Sequence, residues 1–288
     1  MCYFRGILNT PHLSIIAMDH QQYFDLNRQH WDAATPKHIA SPFYDYEGFV
    51  AHPDVLHPIE VEGVGDITGK SLLHLQCHFG QDTLSWVTRG ASHVTGVDLS
   101  PEAVAAARKL AERVGYAAQS DFVTSNVLDI GDKLGGRQYD VVFTSYGCVT
   151  WLPELQSWAT EIVRHLKSGG AFYIADFHPF FWMFDDRVPE LTYRYFHHPE
   201  PVCETQTATY AADELPETTT ECFWAYALSE IMQPLLAQGL QLESFEEYDY
   251  TPHAVYPERL VQRAEREYVF SPHGREVPLT FAMRFRKR

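Results

Sequence analysis

The chain has 288 residues, 45% hydrophobic and 21% charged, which suits one large domain or a core with a sizeable insertion and excludes a disordered chain. Lys and Arg number 22 against 38 Asp and Glu, a formal charge of −16. That field repels nucleic acid and anionic membrane over a Debye length of roughly 8 Å, so the expected partner is a small molecule.

Five widely spaced cysteines, Cys2, Cys77, Cys148, Cys203 and Cys222, form no C-x-x-C pair. This predicts neither a disulfide framework nor a zinc site, and it suits a reducing cytoplasm. No apolar run approaches the roughly 20 residues of a membrane helix. Residues 1–17 lack the pattern of a signal peptide and are given no function; a second methionine, Met18, opens a polar segment. Oligomeric state is not legible.

An aromatic-rich segment from Tyr23 to Tyr46 comes first and is expected to form an arm or lid. Leu72–Leu75 is a short apolar run ending on the polar loop Gln76-Cys77-His78-Phe79-Gly80-Gln81-Asp82. Thr83 to Arg89 is a helical pattern closed by Gly90. Val94–Val97 is a second β-type run ending at Asp98. Ser100-Pro101-Glu102 opens the next helix with an N-cap, a first-turn proline and an acid at the positive end of the dipole. Phe122–Thr124 and Tyr139–Thr144 read as strands, the latter apolar on both faces. Leu155 to Leu166 is helical, stopped by Lys167-Ser168-Gly169-Gly170, and Ala171–Ala175 is a fifth strand. This alternation forces right-handed crossovers and a parallel sheet covered on both faces.

Residues 177–222 lose the helical period, and the alternation in Leu191–Phe196 predicts an inserted β-rich cap. A helix resumes over Ala227 to Gln238. Leu242–Tyr250 and Leu279–Phe285 are expected to pair as a hairpin at the sheet edge. The division is then an arm over 1–60, a core over 61–178, a cap over 179–226 and a C-terminal helix and hairpin over 227–288 completing the sheet.

In an open parallel sheet, ligands bind beyond the carboxyl ends of the strands where strand order reverses. Gly80 and Asp98 stand 18 positions apart, a spacing that suits a carboxylate on a ribose. Gln76 and His78 occupy positions where a pyrophosphate needs bare backbone, which disfavours NAD and leaves a phosphate-free nucleoside. An NAD-type oxidoreductase and a non-catalytic nucleoside-binding module are the alternatives. His74 and His78, on a strand and a loop, share no face, so no metal is expected.

Leu72-Leu73-His74-Leu75-Gln76-Cys77-His78-Phe79-Gly80, Thr95-Gly96-Val97-Asp98-Leu99-Ser100, Tyr139-Asp140-Val141-Val142-Phe143 and Leu166-Lys167-Ser168-Gly169-Gly170 resemble, in order and spacing, the motifs of class I S-adenosylmethionine-dependent methyltransferases over residues 70–178. The loop departs from that pattern, with His74 for an acidic residue and Gln76 and His78 for glycines, and is similar to a small-molecule branch of the family. The resemblance implies a Rossmann-like, seven-stranded, mostly parallel α/β sheet with helices on both faces and an inserted β-rich aromatic cap. It implies S-adenosylmethionine as cofactor and a methyl group passed to N, O or S of a small acceptor. It places Asp98 on the ribose, Leu99 on the adenine, and Asn126 and Val127 at the adenine edge and face. Gln76, His78 and Gly80 would line the methionine portion, and Ser145 and Tyr146 would border the methyl.

Methyl transfer needs alignment and exclusion of water, and aromatic faces attract a sulfonium by about 0.5–2 kcal/mol. Trp151, Phe181, Trp182, Trp224 and Tyr226 are the expected acceptor-binding residues. His178, just past the fifth strand, is the expected base, beside Tyr146 as a second catalytic residue.

Overall fold

The computed structural model describes residues 19–184, 191–256 and 259–288; residues 1–17 and part of the expected cap lie outside the described residues. Helix α1 (His20–Ile39) starts in a capping box, the Asp19 carboxylate taking the Gln22 amide while the Gln22 side chain takes the amide of Asp19, both at 3.0 Å. Two short helices follow, α2 (Tyr46–Ala51) and α3 (Pro58–Val64). The alternation then runs β1 (Ser71–Leu75), α4 (Gln81–Thr88), β2 (His93–Asp98), α5 (Pro101–Arg113), β3 (Ser120–Thr124), β4 (Tyr139–Ser145), α6 (Gln156–His165) and β5 (Leu166–Phe177). Helix α5 is set by its cap: the Ser100 hydroxyl accepts the Ala103 amide at 3.0 Å, and Pro101 is the first helical residue. The C-terminal part adds β6 (Val202–Gln206), β7 (Thr219–Phe223), α7 (Leu228–Ala237), β8 (Gln241–Tyr248), β9 (Val261–Ala264), β10 (Glu267–Val269) and β11 (Thr280–Arg286).

The central sheet has seven strands in the order β3-β2-β1-β4-β5-β11-β8, the first five parallel and β11 antiparallel to both its neighbours. Strand order reverses between β1 and β4, the place where such sheets bind ligands. One face is covered by the cluster containing Trp158 of α6 and Phe172 of β5, the other by the cluster containing Trp86 of α4, Phe143 and Tyr173. Burial on both faces is why β4 reads as an unbroken apolar run.

Three expectations are corrected. Strands β8 and β11 do pair, but not as a hairpin: the chain leaves the sheet after Tyr248, forms the β9–β10 ribbon and returns at Thr280. Among the described residues, the alternation in Leu191–Phe196 yields one bridge, Phe184 to Leu191, and Leu191 and Phe196 are exposed. Cys203 and Cys222 are joined by a disulfide across directly opposed positions of β6 and β7. The register brings together two residues 19 apart in sequence, and the bond runs against the reducing setting that the cysteine count suggested.

The β6–β7 hairpin is docked on α1. The Asn27 amide group pairs with the Cys222 backbone in both directions, at 2.8 and 2.7 Å, and His30 Nδ1 lies 2.8 Å from Thr219 Oγ1. Among the described residues, no helix is long and apolar enough to cross a membrane.

Candidate active site

Beyond the carboxyl ends of β1 to β4 lies a cavity of about 770 Å³, within the range of small-molecule sites. Its floor is the loop after β1, where Gln76, His78 and Gly80 have φ of 59°, 50° and 84°. Left-handed backbone costs a non-glycine residue of order 1–3 kcal/mol, so Gln76 and His78 are held in place by specific bonds. The His78 amide donates to Asp98 Oδ2 at 2.7 Å, the Cys77 amide to Val97 O at 3.0 Å, and Gln76 Nε2 to Cys148 O at 2.8 Å. Gly96 of β2 is bare because a Cβ there would meet Cys77 Sγ and the Phe122 ring at 2.7 Å; the loop packs directly on the strand.

Asp98 ends β2. Its Oδ1 takes the Ser100 amide at 2.9 Å and its Oδ2 the His78 amide at 2.7 Å, and the Leu99 amide also acts on the carboxylate. Burial pushes its carboxyl up to about 6, against the pull of these amides. Below it, Ser145 Oγ donates to Asp82 Oδ2 at 2.9 Å and lies 3.3 Å from His74 Nε2, while His74 Nδ1 lies 2.8 Å from Thr83 Oγ1. Burial raises Asp82 and lowers His74 to about 3, so His74 is a neutral, hydrogen-bonded member of the core.

The roof comes from outside the sheet. Trp31 of α1 meets Trp151 edge-on at 5.3 Å and His78 at 5.4 Å between ring centroids. His38 Nδ1 lies 3.0 Å from His78 Nε2, and His38 Nε2 lies 2.8 Å from Thr209 Oγ1 at the hairpin tip. The Tyr44 and Tyr210 hydroxyls bond each other, and His38 stacks on the Tyr44 ring. Burial holds His38 down to about 4 and His78 well below its ordinary value.

Of the residues expected from the sequence, Gln76, His78, Gly80, Asp98, Leu99, Asn126, Val127, Ser145, Tyr146, Trp151, Trp182, Trp224 and Tyr226 all line this cavity. His178 and Phe181 do not. The His178 ring is turned towards β8, with Nε2 at 2.9 Å from Glu247 Oε1 and Nδ1 accepting the Phe180 amide at 3.0 Å. Phe181 is drawn by its tight turn into a separate cluster with Phe177 and Leu279. Tyr146 lines the cavity, and its hydroxyl is buried beside the Glu60 carboxyl, which burial raises to about 8.

Sequence reasoning missed Asn27, His30, Thr209, Tyr210 and His253, which also line the cavity. His253, from the excursion after β8, meets the Tyr146 ring edge-on at 4.6 Å. Burial, with Arg266 and His57 adding to it, holds its imidazole down to about 3, so it is neutral. Neither of its ring nitrogens has a hydrogen-bond partner among the described residues. The aromatic density around Trp31 and Tyr44 was a signal for the roof; nothing in the sequence marked His253.

Five carboxylates line the cavity, those of Asp82, Asp98, Glu204, Asp213 and Glu221, and among the described lining residues the exposed Arg194 is the only Lys or Arg. Among the described residues, Gln76 Oε1 is a buried acceptor without a partner. A cationic, phosphate-free nucleoside fits this set: acceptors at the sugar end, negative charge around it and no cradle of basic groups for a phosphate.

Residues 73–174 match the family model described as a methyltransferase domain. The ubiquinone biosynthesis O-methyltransferase of Aeromonas salmonicida (strain A449) is 29% identical over 141 residues, 48% of this chain and 57% of that one. The chain thus spans little more than half the length of that curated relative. Among solved structures, an S-adenosylmethionine-dependent methyltransferase from Mesorhizobium loti aligns with a TM-score of 0.53 at 15% identity, over 84% of this chain and 100% of that one. The [4+2]-cyclase SpnF aligns with 0.56 at 15% identity, over 90% and 95%. At these identities the likeness is one of fold, and activity has to be argued from the site.

Proposed function

We propose that the protein, whose residues 73–174 match a methyltransferase domain, transfers a methyl group from S-adenosylmethionine to a nitrogen, oxygen or sulfur atom of a small-molecule acceptor. The observation that carries the reading is Asp98, a half-buried carboxylate at the end of β2 that faces a cavity lined, among the described residues, by five carboxylates and no Lys or Arg besides the exposed Arg194. The bound cofactor supplies a methyl group on a positively charged sulfur that becomes neutral when the group leaves.

The rest is done by this chain. Asp98 accepts the two ribose hydroxyls, Leu99 packs on the base, and Asn126 and Val127 border it. Gln76 offers its unpaired Oε1 to the ammonium end, with Asp82 behind it. The rings of Trp31, Tyr44, His78 and Trp151 close over the loop and keep water from the reacting atoms. Trp224 and Tyr226 are fixed to the loop after β4, by the Trp224 amide on Thr150 O at 2.8 Å and the Tyr226 hydroxyl on Leu152 O at 2.7 Å, and they wall the acceptor chamber with Trp182. His253, the neutral imidazole beside Tyr146, offers a ring nitrogen to the N–H or O–H of the acceptor and orients it.

Calorimetric titration with S-adenosylmethionine, S-adenosylhomocysteine and NAD tests the reading. Binding of the first two and not the third is expected; binding of NAD alone overturns it in favour of an oxidoreductase. Transfer of labelled methyl to a panel of amines, phenols and thiols then identifies the acceptor class, and binding without transfer to any would favour a non-catalytic module.

A further inference from the structure

Three parts of the chain, far apart in sequence, meet at one imidazole. His38 belongs to the last turn of α1, His78 to the loop after β1, and Thr209 to the tip of the β6–β7 hairpin, 171 positions from His38. Both nitrogens of His38 are engaged, at 3.0 Å with His78 Nε2 and at 2.8 Å with Thr209 Oγ1. A neutral imidazole has one N–H and one lone pair, so the two contacts are not independent. If Thr209 donates to Nε2, the proton sits on Nδ1 and points at His78. If Nε2 donates to Thr209, then Nδ1 accepts from His78. The tip is itself ordered for this contact, since the Thr209 amide donates to Ala212 O at 2.8 Å. On the other side, His78 carries the chain onward through its amide to Asp98 Oδ2.

We propose that His38 is a positioning residue through which the hairpin tip fixes the backbone of the loop after β1, so that closure of the hairpin and retention of the nucleoside are coupled. The proposal rests on the reading of that loop as the cofactor site. The path runs from Thr209 through His38 to the left-handed His78 and ends on the carboxylate that faces the ribose. His78 in that backbone conformation is disfavoured by itself; the imidazole of His38 and the carboxylate of Asp98 grip it from opposite sides, on its ring and its amide. With the tip lifted, His38 loses one of its two partners, and the tautomer that it presents to His78 is no longer set from the tip. His38 touches no reacting atom and is not a catalytic residue.

The test uses three variants, Thr209→Val, His38→Ala and the double change, and two measurements. The first is hydrogen exchange at the His78 amide in the protein alone. One lost hydrogen bond is worth about 1 kcal/mol, or roughly fivefold. Thr209→Val is therefore expected to speed that exchange about fivefold from the far end of the path, and His38→Ala at least as much. The double variant should match His38→Ala, because coupled residues are not additive, and Thr209→Ser should restore the wild-type rate. Unchanged exchange in Thr209→Val, or effects that simply add, overturns the proposal. The second measurement is the dissociation rate of S-adenosylhomocysteine, expected to rise in the same order; equal rates in all variants also overturn it. If exchange moves as expected but no variant nor the wild type binds S-adenosylhomocysteine, the coupling stands and the methyltransferase reading falls.

Discussion

The carboxylate of Asp98 accepts the amide of His78 at 2.7 Å, so the residue that ends the second strand also fixes the backbone of the loop after the first. Its charge therefore matters twice, for the ribose and for the loop. Burial raises this carboxyl to about 6, and only the ionised form accepts two sugar hydroxyls at once. The sign follows: affinity for S-adenosylhomocysteine is flat above pH 7 and falls as pH drops through 6, by about tenfold between pH 7 and pH 5. Asp98→Asn should be at least tenfold weaker at pH 7, about 1.4 kcal/mol, and should lose the pH dependence. Calorimetry at both pH values checks this, and a variant that binds like the wild type removes Asp98 from the site.

The two histidines near the end of the sheet should separate in their effects. His178 is bonded through both ring nitrogens to Glu247 and Phe180, away from the cavity, so His178→Ala lowers the melting temperature and leaves S-adenosylhomocysteine affinity unchanged. His253 lines the cavity, and among the described residues its ring nitrogens make no hydrogen bond, so His253→Asn lowers turnover about fivefold, as the loss of one hydrogen bond to the acceptor would, with affinity for the cofactor retained. The acceptor found by the labelled-methyl screen supplies the rate assay. A turnover loss in His178→Ala larger than in His253→Asn would reverse the two roles.

The disulfide between Cys203 and Cys222 closes a loop spanning 19 positions. Loop-closure entropy for that length amounts to about 3 kcal/mol. The bond clamps the hairpin whose edge Asn27 and His30 hold to α1. Reduction, or Cys203→Ser with Cys222→Ser, is expected to lower the melting temperature by several degrees. Calorimetric scans with and without reductant measure it; coincident scans would show that the bond does not constrain the chain.

The core over β1 to β5 is legible in the amino-acid sequence because local chemistry encodes it, in Ser100-Pro101 opening a helix and in the apolar run of β4. The residues at strand ends follow from where open sheets bind ligands. The roof is not legible, for a physical reason. Helix α1 buries Asn27, His30, Thr35 and His38 along with Tyr23, Phe24 and Ala34, so polar residues occupy the face where a hydrophobic period would be sought. Asn27, His30 and His38 are buried against partners far away in sequence, and no local pattern encodes such pairings. The position of His253 likewise depends on how a long excursion folds back, and the cysteine pair on the register of a hairpin.

Asp176, the penultimate residue of β5, organises the loop after β4. Its Oδ1 takes the amides of Gly147 and Phe177, and its Oδ2 those of Cys148 at 3.1 Å and Val149 at 3.4 Å. The Cys148 carbonyl thereby presented is the one Gln76 Nε2 reaches at 2.8 Å. The carboxylate thus sets the loop that carries Tyr146 and, through Cys148, the side chain of a cofactor-loop residue. Asp176→Ala leaves several buried amides unpaired at once, and each costs about 1–3 kcal/mol when orphaned. The variant should therefore lose about 3 kcal/mol of stability in denaturant unfolding and bind S-adenosylhomocysteine several-fold more weakly. Gln76→Ala should reproduce the loss of affinity with little of the loss of stability. If Asp176→Ala is destabilised yet binds with unchanged affinity, the loop after β4 does not transmit its geometry to the loop after β1.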